Sequence, residues 1–163
     1  MPDIVSIVKI RRISAPELTR FGIILFAFII DQLTKLLVLT SVGSRSVSII
    51  GNILRLQVTY NTRGIFGISF GSDHFYFILP LIGLSVLIYL LLVARSRLES
   101  IVVGLITGGA FGNLIDRIRL GAVVDFIDMG IGHYRWPTYN LADAFITIGI
   151  VILIFYGFRH RRE

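Results

Sequence analysis

The sequence contains no cysteine. This excludes disulfides, thiolate nucleophiles, cysteine-ligated zinc and iron–sulfur clusters in one step. Histidine is scarce, and His74, His133 and His160 fall at no metal-ligand spacing, so no metal and no cofactor are expected. Charge is also short. Asp, Glu, Lys and Arg make up 16% of the 163 residues, against roughly 25% in an ordinary soluble domain. Hydrophobic residues make up 55%, and the mean hydropathy is +0.82. Disorder needs the opposite balance. The length fits one domain, residues 1–163, and the class to test first is a membrane protein. Acids are scarcer than bases, 10 against 16, for a net charge of +6. In so apolar a chain that excess fits cytoplasmic loops and anionic lipid head groups, and nucleic acid is not an expected partner.

A membrane helix needs roughly 20 mostly apolar residues. Four stretches qualify: about Phe21 to Ser41, Phe75 to Val93, Ser100 to Ile118, and Asn140 to Phe158. The second carries no charge and only Pro80 near its start. The first reads as a retained span, because Asp31 and Lys35 stand where a cleavable signal would need small residues. Orientation follows the basic residues. Lys9, Arg11, Arg12, Arg20, Arg95, Arg97, Arg159, Arg161 and Arg162 share one side, nine in all. Arg45, Arg55, Arg63, Arg117, Arg119 and Arg135, six, share the other. The positive-inside rule then places both termini in the cytoplasm. Two outer segments remain, about 42–74 and 119–139. In the first, Leu54, Leu56, Val58 and Tyr60 alternate with Ile53, Arg55, Gln57 and Thr59, which is strand periodicity. The second reads as a long loop. The expected fold is an all-α membrane protein of four transmembrane helices. It has a small β-rich extracytoplasmic cradle between helices 1 and 2 and a long loop between helices 3 and 4.

Polar residues inside spans are costly, near +2.5 to +3.5 kcal/mol for Asp or Lys at a helix centre, so each needs a reason. Asp31 and Lys35 are i,i+4 on one face. They either neutralise each other or form the polar wall of a site. Gly104, Gly108 and Gly112 make a smooth face, for close packing of another helix or for approach by a substrate segment. Asn113, Asp116 and Arg117 follow at the outer end of that span, where Arg117 also suits the helix dipole. Asp125 and Asp128 interrupt an apolar run, GAVVDFIDMG. Asn140 and Asp143 have the spacing of a helix N-cap and its N3 partner. Asp143 and Asp125 also lie on the same side. Two carboxylates in a partly desolvated site cannot easily both ionise; one then takes a proton from water and the other polarises a carbonyl. Serine chemistry is disfavoured, since Lys35 has no serine in a strand–turn–helix elbow to activate. A small proton or ion carrier using Asp31 and Asp143 is the alternative. The gathering of carboxylates on one side, with no path across, argues against it.

Five motifs then stand in order: DQLTK (Asp31 to Lys35), NTRGIFG (Asn61 to Gly67), GGAFGNLIDR (Gly108 to Arg117), VVDFID (Val123 to Asp128) and YNLAD (Tyr139 to Asp143). Together they make the chain resemble the lipoprotein signal peptidases, bacterial signal peptidase II, from the first span through the fourth. Ile65 and Arg63 in NTRGIFG, and Tyr139 in place of a common Phe, are small departures. The resemblance implies an aspartic endopeptidase that cuts lipid-modified prolipoproteins just N-terminal to the lipidated Cys of the substrate. It implies a catalytic pair at Asp125 and Asp143. Substrate-binding residues would be Asn61, Gly64, Asn113, Arg117 and Asn140, with Asp31, Lys35 and Asp116 in support. Asp128 matches a family position but is given no chemistry. Prolipoproteins and membrane lipids are the expected partners, a monomer the expected state, and the bacterial cytoplasmic (inner) membrane the expected location, with the site at the extracytoplasmic face.

Overall fold

The computed structural model describes residues 15–62, 75–94 and 96–160. Four helices and four strands follow in the order α1 (Ala15–Ser41), β1 (Ser46–Ile50), β2 (Leu54–Asn61), α2 (Phe75–Val93), α3 (Arg97–Leu120), β3 (Val123–Ile131), β4 (Tyr134–Arg135) and α4 (Leu141–His160). By length and composition, Glu17–Ser41 and Arg97–Leu120 are long and apolar enough to cross a membrane; the apolar stretches Ile78–Val93 and Leu141–Gly157 are shorter. α2 coincides with the expected span. The other three overrun theirs, because polar end turns stay helical although a hydropathy window stops before them. At the start of α3, Ser96 accepts from the Glu99 N–H at 3.0 Å while the Glu99 carboxylate accepts from the Ser96 N–H, a reciprocal cap. At its end, Gly121 at φ 69° returns an N–H to the Arg117 carbonyl.

α3 is the hub, packing against α1, α2 and α4. Its glycine face lies against α1: a Cβ on Gly104 would meet Ile23, one on Gly108 the Ile24 carbonyl and Ala27, and one on Gly112 the Asp31 carboxylate. The open question about this face is thereby answered, since α1 fills the place a substrate segment would need. On another side of α3, a Cβ on Gly109 would meet the Ala142 backbone of α4.

The strands form one antiparallel sheet in the order β1-β2-β3-β4. The segment between α3 and α4, expected as a loop, thus contributes two strands, one of them nine residues long. Val123 to Phe126 are all buried, so both faces of this strand are covered and no alternation of polarity marks it in the sequence. β2 carries the expected alternation only in part. Leu56 and Val58 pack against Val38, Val42 and Phe126, but the register shifts between Leu56 and Thr59 and Tyr60 turns outward. The sheet therefore sits on the end of α1 and the start of α4.

Candidate active site

Two local devices bring Asp125 beside the start of α4. The Phe126 and Ile127 N–H groups donate to the Tyr139 carbonyl at 3.0 and 2.8 Å, and the Tyr139 N–H donates to the Ile127 carbonyl at 3.1 Å. This clip closes the segment from Ile127 to Tyr139 and leaves Asp125 next to Asn140. The second device is the cap of α4. Asn140 Oδ1 accepts from the Asp143 N–H at 2.9 Å, and Asp143 Oδ2 accepts from the Asn140 N–H at 3.3 Å. The capping expected from spacing is thus present, and the same residues also reach outward.

Asn140, fully buried, donates through Nδ2 to Asp125 Oδ1 at 2.8 Å, to Asn113 Oδ1 at 3.0 Å and to the Val124 carbonyl at 3.3 Å. Asn113 Nδ2 donates to Asp143 Oδ1 at 2.8 Å. Asn61 Nδ2 donates to Asp125 Oδ2 at 3.1 Å. Two carboxylates are therefore joined through two amides, and both oxygens of each accept a hydrogen bond. Asp125 is 2% exposed. Its burial, and then the negative charge of Asp143, push its carboxyl up to about 7, against the pull of Asn61, Lys35 and Asn140.

Behind this pair stands a buried cation. Lys35 Nζ lies 2.8 Å from Asp31 Oδ2 and 2.8 Å from Asp116 Oδ2, and donates to Asn113 Oδ1 at 3.1 Å. Asp31 Oδ1 accepts from the Ala142 N–H at 3.0 Å, so α1 supplies part of the cap of α4. Asp116 Oδ2 accepts from the Val124 N–H at 3.2 Å, which fixes the strand carrying Asp125. Asp31 and Lys35 do neutralise each other, and the same two groups also bond Asp116, Asn113 and the Ala142 N–H. Arg117 donates to the Asn113 carbonyl at 3.2 Å, an anchor at the end of α3, and its charge acts on Asp143, Asp125 and Asp116.

The structure thus gathers Asn61, Asn113, Asp125, Asn140 and Asp143, flanks them with Arg117, and backs them with Asp31, Lys35 and Asp116. Gly64 lies outside the described residues. Among the described residues no three His, Asp or Glu side chains gather as ligands for a metal ion. Two features escaped the sequence reading. Gln32 Nε2 reaches Asp116 Oδ1 at 3.1 Å, Asp31 Oδ2 at 3.2 Å and the Gly112 carbonyl at 3.3 Å, stitching α1 to α3. Asp128 is paired with Arg135. The signal for that pair was an acid in an apolar run, for which Arg135 is the one arginine or lysine between Gly121 and Asn140. An open groove of about 640 Å³ runs from Asp143 between α4 and the outer half of the sheet, lined by Met129, Ile131, Tyr134, Trp136 and Ile148.

Two carboxylates joined through two amides at the edge of an apolar helix bundle make a buried polar site on a membrane-protein scaffold. Comparison with known proteins gives the family. The family model described as signal peptidase (SPase) II matches residues 23–159. A lipoprotein signal peptidase of Halothermothrix orenii is 39% identical over 136 residues, 82% of this chain and 91% of the relative. One from Burkholderia mallei is 38% identical over 146 residues, 86% of this chain and 88% of the relative. Two solved bacterial membrane enzymes, determined by the in meso method, share the fold with TM-scores of 0.77 and 0.75 at 32% and 34% identity. They align over 86% and 85% of this chain and 88% and 91% of theirs. The chain belongs to the signal peptidase II family.

Proposed function

We propose that Asp125 and Asp143 form the aspartic dyad with which this membrane enzyme removes the signal peptide from prolipoproteins. The observation that carries this is the bridge Asp125–Asn140–Asn113–Asp143, with the Asp125 carboxyl pushed up to about 7. The pair then holds one proton near neutrality. Asp143, in the first turn of α4, sits where the helix dipole favours negative charge. In the proposed reaction Asp143 takes a proton from water as its oxygen attacks the scissile carbonyl. The Asp125 O–H donates a hydrogen bond to the carbonyl oxygen. Collapse of the tetrahedral intermediate breaks the C–N bond, and the amine leaves with a proton from the pair. Asn113 and Asn140 orient the carboxylates, Asn61 steadies Asp125, and Arg117 faces the peptide. Gly64 belongs to the same substrate-binding set on the resemblance alone. The scissile bond lies N-terminal to a lipidated Cys, so that the acyl chains remain in the bilayer.

In this reading all four helices span the bacterial cytoplasmic membrane, both termini are cytoplasmic, the enzyme is a monomer, and the sheet stands at the outer face. The charge asymmetry of the sequence supports that orientation. The carrier alternative draws no support from the family, and its two carboxylates, Asp31 and Asp143, meet at one end of the bundle. The test is a gel-shift cleavage assay in detergent micelles with a lipidated prolipoprotein. Asp125→Asn and Asp143→Asn are each expected to lower cleavage by about 10³ or more while helicity is kept. Near-normal cleavage by either variant would remove that residue from the dyad.

A further inference from the structure

The groove beside Asp143 has an outer wall made of turns. Ile53 comes from the β1–β2 turn, Met129 and Ile131 from β3, and Tyr134 and Trp136 from β4 and beyond. Ile131, Tyr134 and Trp136 are 79%, 87% and 62% exposed. β4 has only two residues and two register pairs, so pairing alone holds this wall weakly. One side chain ties the three pieces together. Arg135 Nε donates to Asp128 Oδ1 at 2.9 Å, and its Nη2 lies 2.6 Å from Asp128 Oδ2 and 3.0 Å from the Asp128 carbonyl. Its Nη1 donates to the Asn52 carbonyl in the β1–β2 turn. The guanidinium lies over Gly130, where a Cβ would come within 2.7 Å of Arg135 Cδ.

We propose that Arg135 is a positioning residue for substrate: by gripping Asp128 and Asn52 it holds the apolar wall of the groove at the distance from α4 that the lipidated substrate needs. The fork is the reason for arginine, since two parallel bonds to one carboxylate fix direction as well as distance, which lysine cannot do. Holding the wall ready before binding removes an ordering cost from association. Arg135 lines the same groove as Asp143, but its bonds go to Asp128 and Asn52 and not to the carboxylate pair, so its loss acts on binding and leaves the chemistry in place.

The inference rests on the dyad reading, and the test separates the two. Trp136 is the single tryptophan of the chain, so its fluorescence reports on this wall alone. In an Asp125→Asn background, which keeps substrate uncut, titration with a lipidated prolipoprotein is expected to shift Trp136 emission to the blue. Adding Arg135→Gln is expected to raise the Kd about tenfold. Arg135→Lys should do nearly the same, which a role for charge alone would not produce. In the otherwise wild-type enzyme Arg135→Gln should raise KM about tenfold with kcat within twofold. Asp128→Asn should match it, and the double variant should be no worse. Should Arg135→Gln fail to fold, Asp128→Asn, which keeps the side-chain shape, carries the test. An unmoved Trp136 signal, an unchanged Kd, or a fall in kcat equal to the rise in KM would overturn the proposal. Cleavage by the Asp125→Asn enzyme itself would instead count against the dyad.

Discussion

The two ends of the helix bundle both carry polar networks, and they are built differently. At the end with the α2–α3 turn, the inner end in the proposed orientation, Arg20 of α1 donates to the Ala94 carbonyl at 3.0 Å and to Ser100 Oγ at 3.2 Å, while Ser96 and Glu99 cap each other. Among the described residues that network sets the Arg20 cation against two neutral acceptors, beside a cap that carries the Glu99 carboxylate. At the outer end four carboxylates, Asp31, Asp116, Asp125 and Asp143, share two cations, Lys35 and Arg117. A buried charge is normally paired, so with these six described groups ionised the cluster carries an excess of two negative charges. A retained proton is the least costly relief. The inner network closes electrostatically and serves as a fastener. The outer one does not close, and the reactivity proposed for it follows from that deficit.

The largest way to break this contrast is the dyad substitution already described. Next comes the cation. Lys35→Met should destabilise the protein by about 3–5 kcal/mol, because it leaves Asp31 and Asp116 buried without their partner. Reversible unfolding in micelles measures this, and a loss below 1 kcal/mol would show that Arg117 alone balances the outer end. A third test uses pH. The Asp125 carboxyl is raised from 3.8 to about 7, so the folded state holds that proton more tightly than the unfolded chain does. The wild type therefore loses stability as pH rises from about 4 to about 7, whereas Asp125→Asn has no such proton to lose. The stability difference should move in favour of the variant by on the order of 2 kcal/mol across that window, within a ceiling of about 1.4 kcal/mol per pH unit. A difference flat with pH would place the proton elsewhere. Cleavage by the wild type should likewise decline as pH rises through about 7. The smallest effect belongs to the inner end: Ser96→Ala should cost about 1 kcal/mol of stability with kcat unchanged. A marked fall in kcat would mean that the two ends are coupled.

The sequence made the helices legible because runs without charge leave few alternatives, and α2 shows this best, with both ends where the apolar run begins and stops. It hid β3 because a strand covered on both faces has no period of two. Motif spacing located the polar residues that the structure gathers. It did not say that Asp31 would bond a backbone N–H of Ala142, 111 residues away, since nothing local marks that meeting. Arg135 was legible only as an outer basic residue. Its grip on Asp128 depends on a hairpin that the alternation rule missed.

The link between Asp31 and Ala142 has a consequence for the birth of the enzyme. Helix α1, made before α2, α3 and α4, carries a carboxylate whose partner is the start of α4. Asn61, Asn113 and Asp125 likewise come from three elements made in between. Until α4 is made, Asp143 is absent and Asp31 lacks the Ala142 N–H, so no shorter length of chain gathers all these residues. On the proposed reading, proteolytic competence is thereby timed to the making of α4 by the order of the elements.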